Sequence, residues 1–196
     1  MKSAMPYLGV RVPDVRRIVR AAAKATQPTS VVEVEAAAAA LWRGAEYREE
    51  RYAATATTGL PVATGALALL PLYEEFIVTG AWWDHVDDVA HRIGDLLEAH
   101  PAELTPVLRG WAVSSDRWLR RVSIIAQLGV RRRVDPELLT YAIEESIGES
   151  DFFVRKAIGW ALRDYARVSP AWVRSFVDAH PDLSPLSRRE ALRHLG

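Results

Sequence analysis

Trp118-Leu119-Arg120-Arg121-Val122 returns as Phe153-Val154-Arg155-Lys156-Ala157 at an offset of 35 residues. An aromatic residue, an aliphatic one, two cations and a second aliphatic residue at a fixed interval mark a repeated unit. That interval suits two helices joined by a short loop. Such a unit cannot bury its own apolar face, so neighbouring units must stack. The same offset backwards places Trp83 under Trp118, with little matching beyond the aromatic ring. The constraint is therefore topological: the chain must be a row of helix pairs, each supported by the next.

Punctuation along the chain agrees. Pro13 stands where a first-turn proline belongs, with Val12, Val15, Ile18 and Val19 at helical spacing, which predicts a helix over 13–25. Ser30 and Glu33 read as a capping box for a second helix over 30–43. A third is expected over 46–57, closed by Gly59-Leu60-Pro61. Residues 63–78 are apolar at Leu67, Leu70, Leu72, Phe76 and Ile77, with Pro71 placed to split or kink them. Further helices are expected over 84–98, 101–113, 116–128, 135–147, 151–166, 169–180 and 184–194. No segment sustains the alternation of a strand. The expected fold is all-α, an α-solenoid of HEAT-like two-helix repeats with a concave face.

The chain has 196 residues, which fits a single domain over 1–196. It has no cysteine, so disulfides, thiolate zinc sites and cysteine nucleophiles are excluded, and a reducing compartment fits. Neither a membrane span nor a secretory leader is evident in the sequence. Formal net charge is zero, which argues against indiscriminate polyanion binding. Cations nevertheless gather late, 15 Lys+Arg against 12 Asp+Glu over 101–196, in groups such as Arg120-Arg121, Arg131-Arg132-Arg133, Arg155-Lys156 and Arg188-Arg189. Each group reads equally as a solvated helix face or as part of a polyanion-facing surface.

Ala81-Trp82-Trp83-Asp84-His85-Val86-Asp87-Asp88 is the stretch richest in chemistry. Trp83 and Asp87 are four apart and share a helix face. Local structure alone also accounts for them: Asp84 is a natural N-cap, Asp87 at N3 completes a capping box, and the tryptophans fill a core. Trp160 follows Gly159 in what reads as a helix interior, where glycine costs up to ~1 kcal/mol relative to alanine. Something approaches closely at Gly159, a helix or a ligand, and Trp160 is core or site accordingly. Other chemistries find no support. The five histidines lack metal-ligand spacing, no glycine-rich phosphate loop occurs, and Ser114, Ser115 and Ser123 lack a paired base within reach in sequence.

Three stretches carry a resemblance. They are Trp82-Trp83-Asp84-x-Val86-Asp87, then Trp118-Leu119-x-Arg121, then Phe152-Phe153-x-x-Lys156-Ala157-Ile158-Gly159-Trp160-x-Leu162-Arg163-x-Tyr165, which is followed by Leu186-Ser187-x-Arg189-Glu190-Ala191. With Tyr7-Leu8-Gly9-Val10-x-x-Pro13, the chain resembles the AlkD-like family of DNA alkylation repair glycosylases along nearly its whole length. The resemblance implies a solenoid that holds duplex DNA on a concave face. It implies release of cationic alkylpurines, chiefly 7-methylguanine and 3-methyladenine, by N-glycosidic hydrolysis without base flipping and without metal or cofactor. Carried over, Trp83, Asp87 and Trp160 are the catalytic-cleft residues, and Arg121 is a backbone contact near the lesion. Arg120, Arg155, Lys156, Arg163 and Arg189 are weaker candidates for DNA contact.

That chemistry suits these residue types. An alkylated purine is already a good leaving group, and positive charge moves onto the deoxyribose as the bond breaks. A carboxylate beside the sugar stabilises such an oxocarbenium-like transition state, and tryptophan faces attract the developing cation. Asp87 would also orient the attacking water. The resemblance further implies helical sequence ahead of Met5-Pro6-Tyr7-Leu8-Gly9, with Met1 or Met5 an internal methionine of a longer protein. A monomer working in the cytoplasm at the nucleoid is expected. The alternative is a non-catalytic solenoid that binds bent or branched DNA, or a protein.

Overall fold

A computed structural model describes residues 5–195, so a start at Met1 lies outside the described residues. Eleven α-helices occur among them, and no strand. They fall into two compact units, residues 1–96 and 97–196.

The first unit holds α1 (Val12–Thr26), α2 (Val31–Arg43), α3 (Arg48–Thr57), α4 (Leu70–Gly80) and most of α5 (Trp83–Ala99). Pro13 sits in the first turn of α1, and Ser30 Oγ accepts from Glu33 N at 3.3 Å to cap α2. The Glu33 carboxylate reaches back to Thr29 N, one residue before the expected partner (2.8 Å). α3 starts two residues later than expected because the Glu50 carboxylate accepts from the Glu46 and Tyr47 amides at 2.6 and 2.8 Å. Pro71 neither splits nor kinks the apolar segment. It stands in the first turn of α4, preceded by a 3-10 turn at Leu67–Leu69. α3 packs against α1 and α2. Trp42, Phe76, Ile77, Val86 and Ile93 form the core, with the Trp42 and Phe76 rings stacked at 4.1 Å.

The second unit holds α6 (Pro101–Ala112), α7 (Arg117–Ile125), α8 (Pro136–Glu144), α9 (Phe152–Tyr165), α10 (Pro170–Ala179) and α11 (Pro185–Ala191). α6 packs on α7 and α8, α7 on α9, and α9 most extensively on α11. The repeat seen in the sequence is a repeat of bonds. Asp116 caps α7 through the amides of Trp118 and Leu119, and Asp151 caps α9 through those of Phe153 and Val154. Arg120 Nε donates to Ser114 O and Arg155 Nε to Glu149 O, again 35 residues apart (2.5 and 2.7 Å). The matched rings Trp118 and Phe153 lie against each other at 5.0 Å. Stacked helix pairs are thus built by equivalent side chains, as expected of an all-α repeat fold. The register fails at Trp83. That ring is exposed where Trp118 is buried, and Ala81 occupies the place of the capping aspartates.

Candidate functional site

In the first unit, the approach to Trp83 is set by a tight joint. α4 ends at Gly80, and Ala81 adopts a left-handed backbone at φ 41°, with its amide on Ile77 O (3.1 Å). A non-glycine residue there costs roughly 1–2 kcal/mol and persists where its surroundings demand it. The Trp82 carbonyl then accepts from His85 N and Val86 N, and α5 begins at Trp83. Trp83 is 41% exposed, unusual for a tryptophan, and Asp87 one turn on is half-buried.

This start corrects the capping reading of Asp84 and Asp87. The helix begins one residue before Asp84, so Asp84 lies inside the first turn and Asp87 beyond it. The Asp84 carboxylate turns inward. It pairs with Arg48 Nη2, and its other oxygen accepts from Arg48 Nε at 3.2 Å and from the Tyr52 hydroxyl at 2.6 Å. Burial alone would raise the Asp84 pKa, but the hydrogen bonds from Arg48 and Tyr52 prevail and hold it below the usual carboxylate range. Burial, with Asp84 as acceptor, raises the Tyr52 phenol. His85 is buried against the rings of Trp42 and Tyr52, its two ring nitrogens without hydrogen-bond partners, and burial lowers its pKa to about 4. Asp88 is engaged by Arg16 at 2.7 Å.

In the second unit, Lys156, Trp160 and Arg163 follow one another along one side of α9 by helical spacing. Arg121 reaches from α7. Its guanidinium lies 6.0 Å from the Trp160 ring centroid, and Nη1 donates to Phe153 O at 2.6 Å. Arg121 is only 3% exposed, so much of its bonding capacity is spent inside the fold. Lys156 and Arg163 converge on Glu190 of α11: Lys156 Nζ donates at 2.8 Å to one oxygen, and Arg163 Nη1 to the other. The Lys156 hydrogen bond leads the effects that hold Glu190 below its ordinary pKa, against burial. The group that approaches Gly159 is α11. A Cβ on Gly159 would fall 2.9 Å from Ser187 O and 2.5 Å from Glu190 Cβ.

The remaining cations divide. Arg120 donates to the carbonyls of Ala112, Ser114 and Glu145, and Arg155 to that of Glu149, so both tie loop ends to helices. Arg189 is exposed on α11. Each unit thus brings its own candidates together: Trp83 with Asp87 on α5, and Trp160 with Arg121, Lys156 and Arg163 around α9. The sequence reading left Arg48 and Tyr52 unmarked. Arg48 sits in a charged run, Glu46 to Arg51, that looks solvated, Tyr52 directly follows it, and only their spacing of four hinted at a shared partner. No cluster of His, Asp and Glu that could hold a metal occurs among the described residues. No helix among them is long and apolar enough to cross a membrane.

Comparison with known proteins shows what the chain as a whole is similar to. A solved structure described as a predicted DNA alkylation repair enzyme from Enterococcus faecalis superposes with a TM-score of 0.86 at 25% identity, covering 98% of this chain and 89% of that one. No curated protein matches. The family model for DNA alkylation repair enzymes matches residues 1–195. A role in repairing alkylated DNA, with DNA as partner, follows from that match over nearly the whole length: the chain belongs to the DNA alkylation repair enzyme family.

Proposed function

We propose that this protein is a DNA glycosylase releasing cationic alkylpurines, 7-methylguanine and 3-methyladenine, from duplex DNA without flipping the base into a pocket. The observation that carries the reading is the start of α5. There an exposed tryptophan stands one helical turn from Asp87, and the turn that carries both is held by Arg48 on Asp84 and by Arg16 on Asp88.

In the proposed reaction the bond from deoxyribose C1′ to the purine breaks and its electron pair leaves with the base, cancelling the positive charge of the alkylated ring. Asp87 stabilises the cation forming on the sugar and orients the water that adds to C1′. The water's proton passes to Asp87 or solvent. Trp83 and Trp160 are each assigned a catalytic role, an aromatic face that attracts positive charge. Because the base departs as a good leaving group, neither a metal nor an acid is required. Lys156, Arg163 and Arg189 are assigned to backbone phosphates. Arg121 orients Trp160 and meets phosphate beside it, its burial giving the first role more weight. Both units serve one DNA-binding domain, and the protein acts as a monomer at the nucleoid.

The test is release of free 7-methylguanine from methylated duplex DNA by wild type and Asp87→Asn, with folding followed by circular dichroism. Release by wild type alone is expected. Equal release by both removes Asp87 from the mechanism. Salt-sensitive DNA binding without release by either would make the protein a non-catalytic DNA binder instead.

A further inference from the structure

We propose that Arg48, seconded by Tyr52, is a positioning residue for the chemistry at Trp83 and Asp87, an inference that rests on the glycosylase reading above. Arg48 opens α3 and is 4% exposed. Its guanidinium grips both oxygens of Asp84, and the Tyr52 hydroxyl binds one of them from the next turn of α3. Asp84 follows Trp83 and precedes Asp87 by three residues, so whatever holds Asp84 fixes the rotation of the turn that presents both.

Two observations set this apart from ordinary packing. First, a buried ion pair is a poor source of stability, because desolvating two charges consumes most of their attraction, and an apolar pair of similar volume is often as stable. What a forked guanidinium on a carboxylate does supply is a single geometry, through two directional bonds. Second, the stretch it fixes is strained at its entrance, where Ala81 holds φ 41°. A left-handed alanine leading into a frayed helix start would relax; a clamped first turn keeps it in place.

The clamp is itself anchored. The Arg48 amide donates to Pro6 O at 3.0 Å, and its guanidinium lies 6.0 Å from the Tyr7 ring. The neighbouring Glu49, also buried, accepts from the amides of Leu8, Gly9 and Val10 at 2.9–3.2 Å. The first turn of α3 therefore binds the segment 6–10 on one side and the start of α5 on the other. Loss of Arg48 would leave Asp84 as a buried charge three residues from Asp87, disturbing both geometry and field at the reacting sugar.

The experiment measures single-turnover release of 7-methylguanine, DNA affinity and melting temperature for wild type, Asp87→Asn, Arg48→Lys, Arg48→Met and the double variant Arg48→Met/Asp84→Asn. A misplacement of about 1 Å in a catalytic group costs on the order of 100-fold. Arg48→Met is expected to lose release by on the order of 10- to 100-fold with DNA affinity unchanged, and Arg48→Lys, which keeps the charge without the fork, by less. The double variant removes both buried charges, so it should melt near wild type yet release base slowly. Recovery of melting temperature and release together in the double variant would show that Arg48 only neutralises Asp84, and would overturn the proposal. So would wild-type release by Arg48→Met beside an inactive Asp87→Asn, leaving the glycosylase reading intact. Absence of release from wild type itself would overturn both.

Discussion

Gly159→Ala offers a stability measurement whose sign depends on the packing of α9 against α11. In an isolated helix the change is favourable by about 1 kcal/mol, since alanine is the better helix former. Here the added Cβ would meet Ser187 O at 2.9 Å, Glu190 Cβ at 2.5 Å and Ser187 Cα at 3.2 Å. Two of these are backbone atoms of α11 and the third is the root of a side chain, so no flexible tip can swing away. Overpacking costs about 1–3 kcal/mol, and contacts of this kind belong at the upper end, near 3. Subtracting the propensity gain leaves about 2 kcal/mol of destabilisation, or about 4–8 °C in melting temperature for a chain of this size. Gly110→Ala is the matched control. Gly110 lies in α6 with nothing within 4 Å of the added carbon, so the same substitution should raise stability by up to about 1 kcal/mol. Thermal denaturation by circular dichroism reads both. Equal and positive shifts for the two variants would refute the close approach of α9 and α11, and with it the account of why glycine precedes Trp160.

Two further predictions concern pH. Glu190 is held below its ordinary pKa by Lys156 and Arg163, so its stabilisation is complete above the unfolded carboxylate range and disappears as pH falls through the lowered value. Glu190→Gln should therefore melt lower than wild type at neutral pH, the gap closing in acid; a gap independent of pH would mean that the charges do not matter. The same variant adds one net positive charge beside Trp160 and should steepen the salt dependence of DNA binding if that face meets phosphate. His85, lowered from 6.5 to about 4 by burial, binds its proton more readily in the unfolded chain, so the fold loses stability as pH drops from about 6.5 to about 4. His85→Phe keeps an aromatic ring against Trp42 and Tyr52 and removes two unpartnered nitrogens. Its melting temperature should be flatter than wild type across that window, and an unchanged slope would place the titration elsewhere.

Much of the architecture was legible before the structure. Proline and glycine punctuation, apolar spacing and the 35-residue recurrence are short-range properties, and they predicted an all-helical chain of stacked pairs. Differences lie at helix ends and around Pro71, which opens α4: α7 and α8 finish at Ile125 and Glu144, about three residues early, where the chain passes into turns. Trp83, Asp87 and Trp160 were also marked by sequence, through a resemblance whose motifs are local. Partners could not be read the same way. Asp84 looked like a cap because capping is a local bond, yet its carboxylate is claimed by Arg48, 36 residues away. Arg120 and Arg121 are neighbours of one type, but a helix turns by about 100° per residue. One faces loop carbonyls and the other the Trp160 ring. Gly159 announced a close approach without saying by what, and α11 is the answer only once the helices are packed. Sequence alone determined which segments are helices and which residue types stand on each face, because both follow from neighbours a few positions apart. Which charge meets which was decided by tertiary structure, because burial and ion pairing join side chains that the chain itself keeps tens of residues apart.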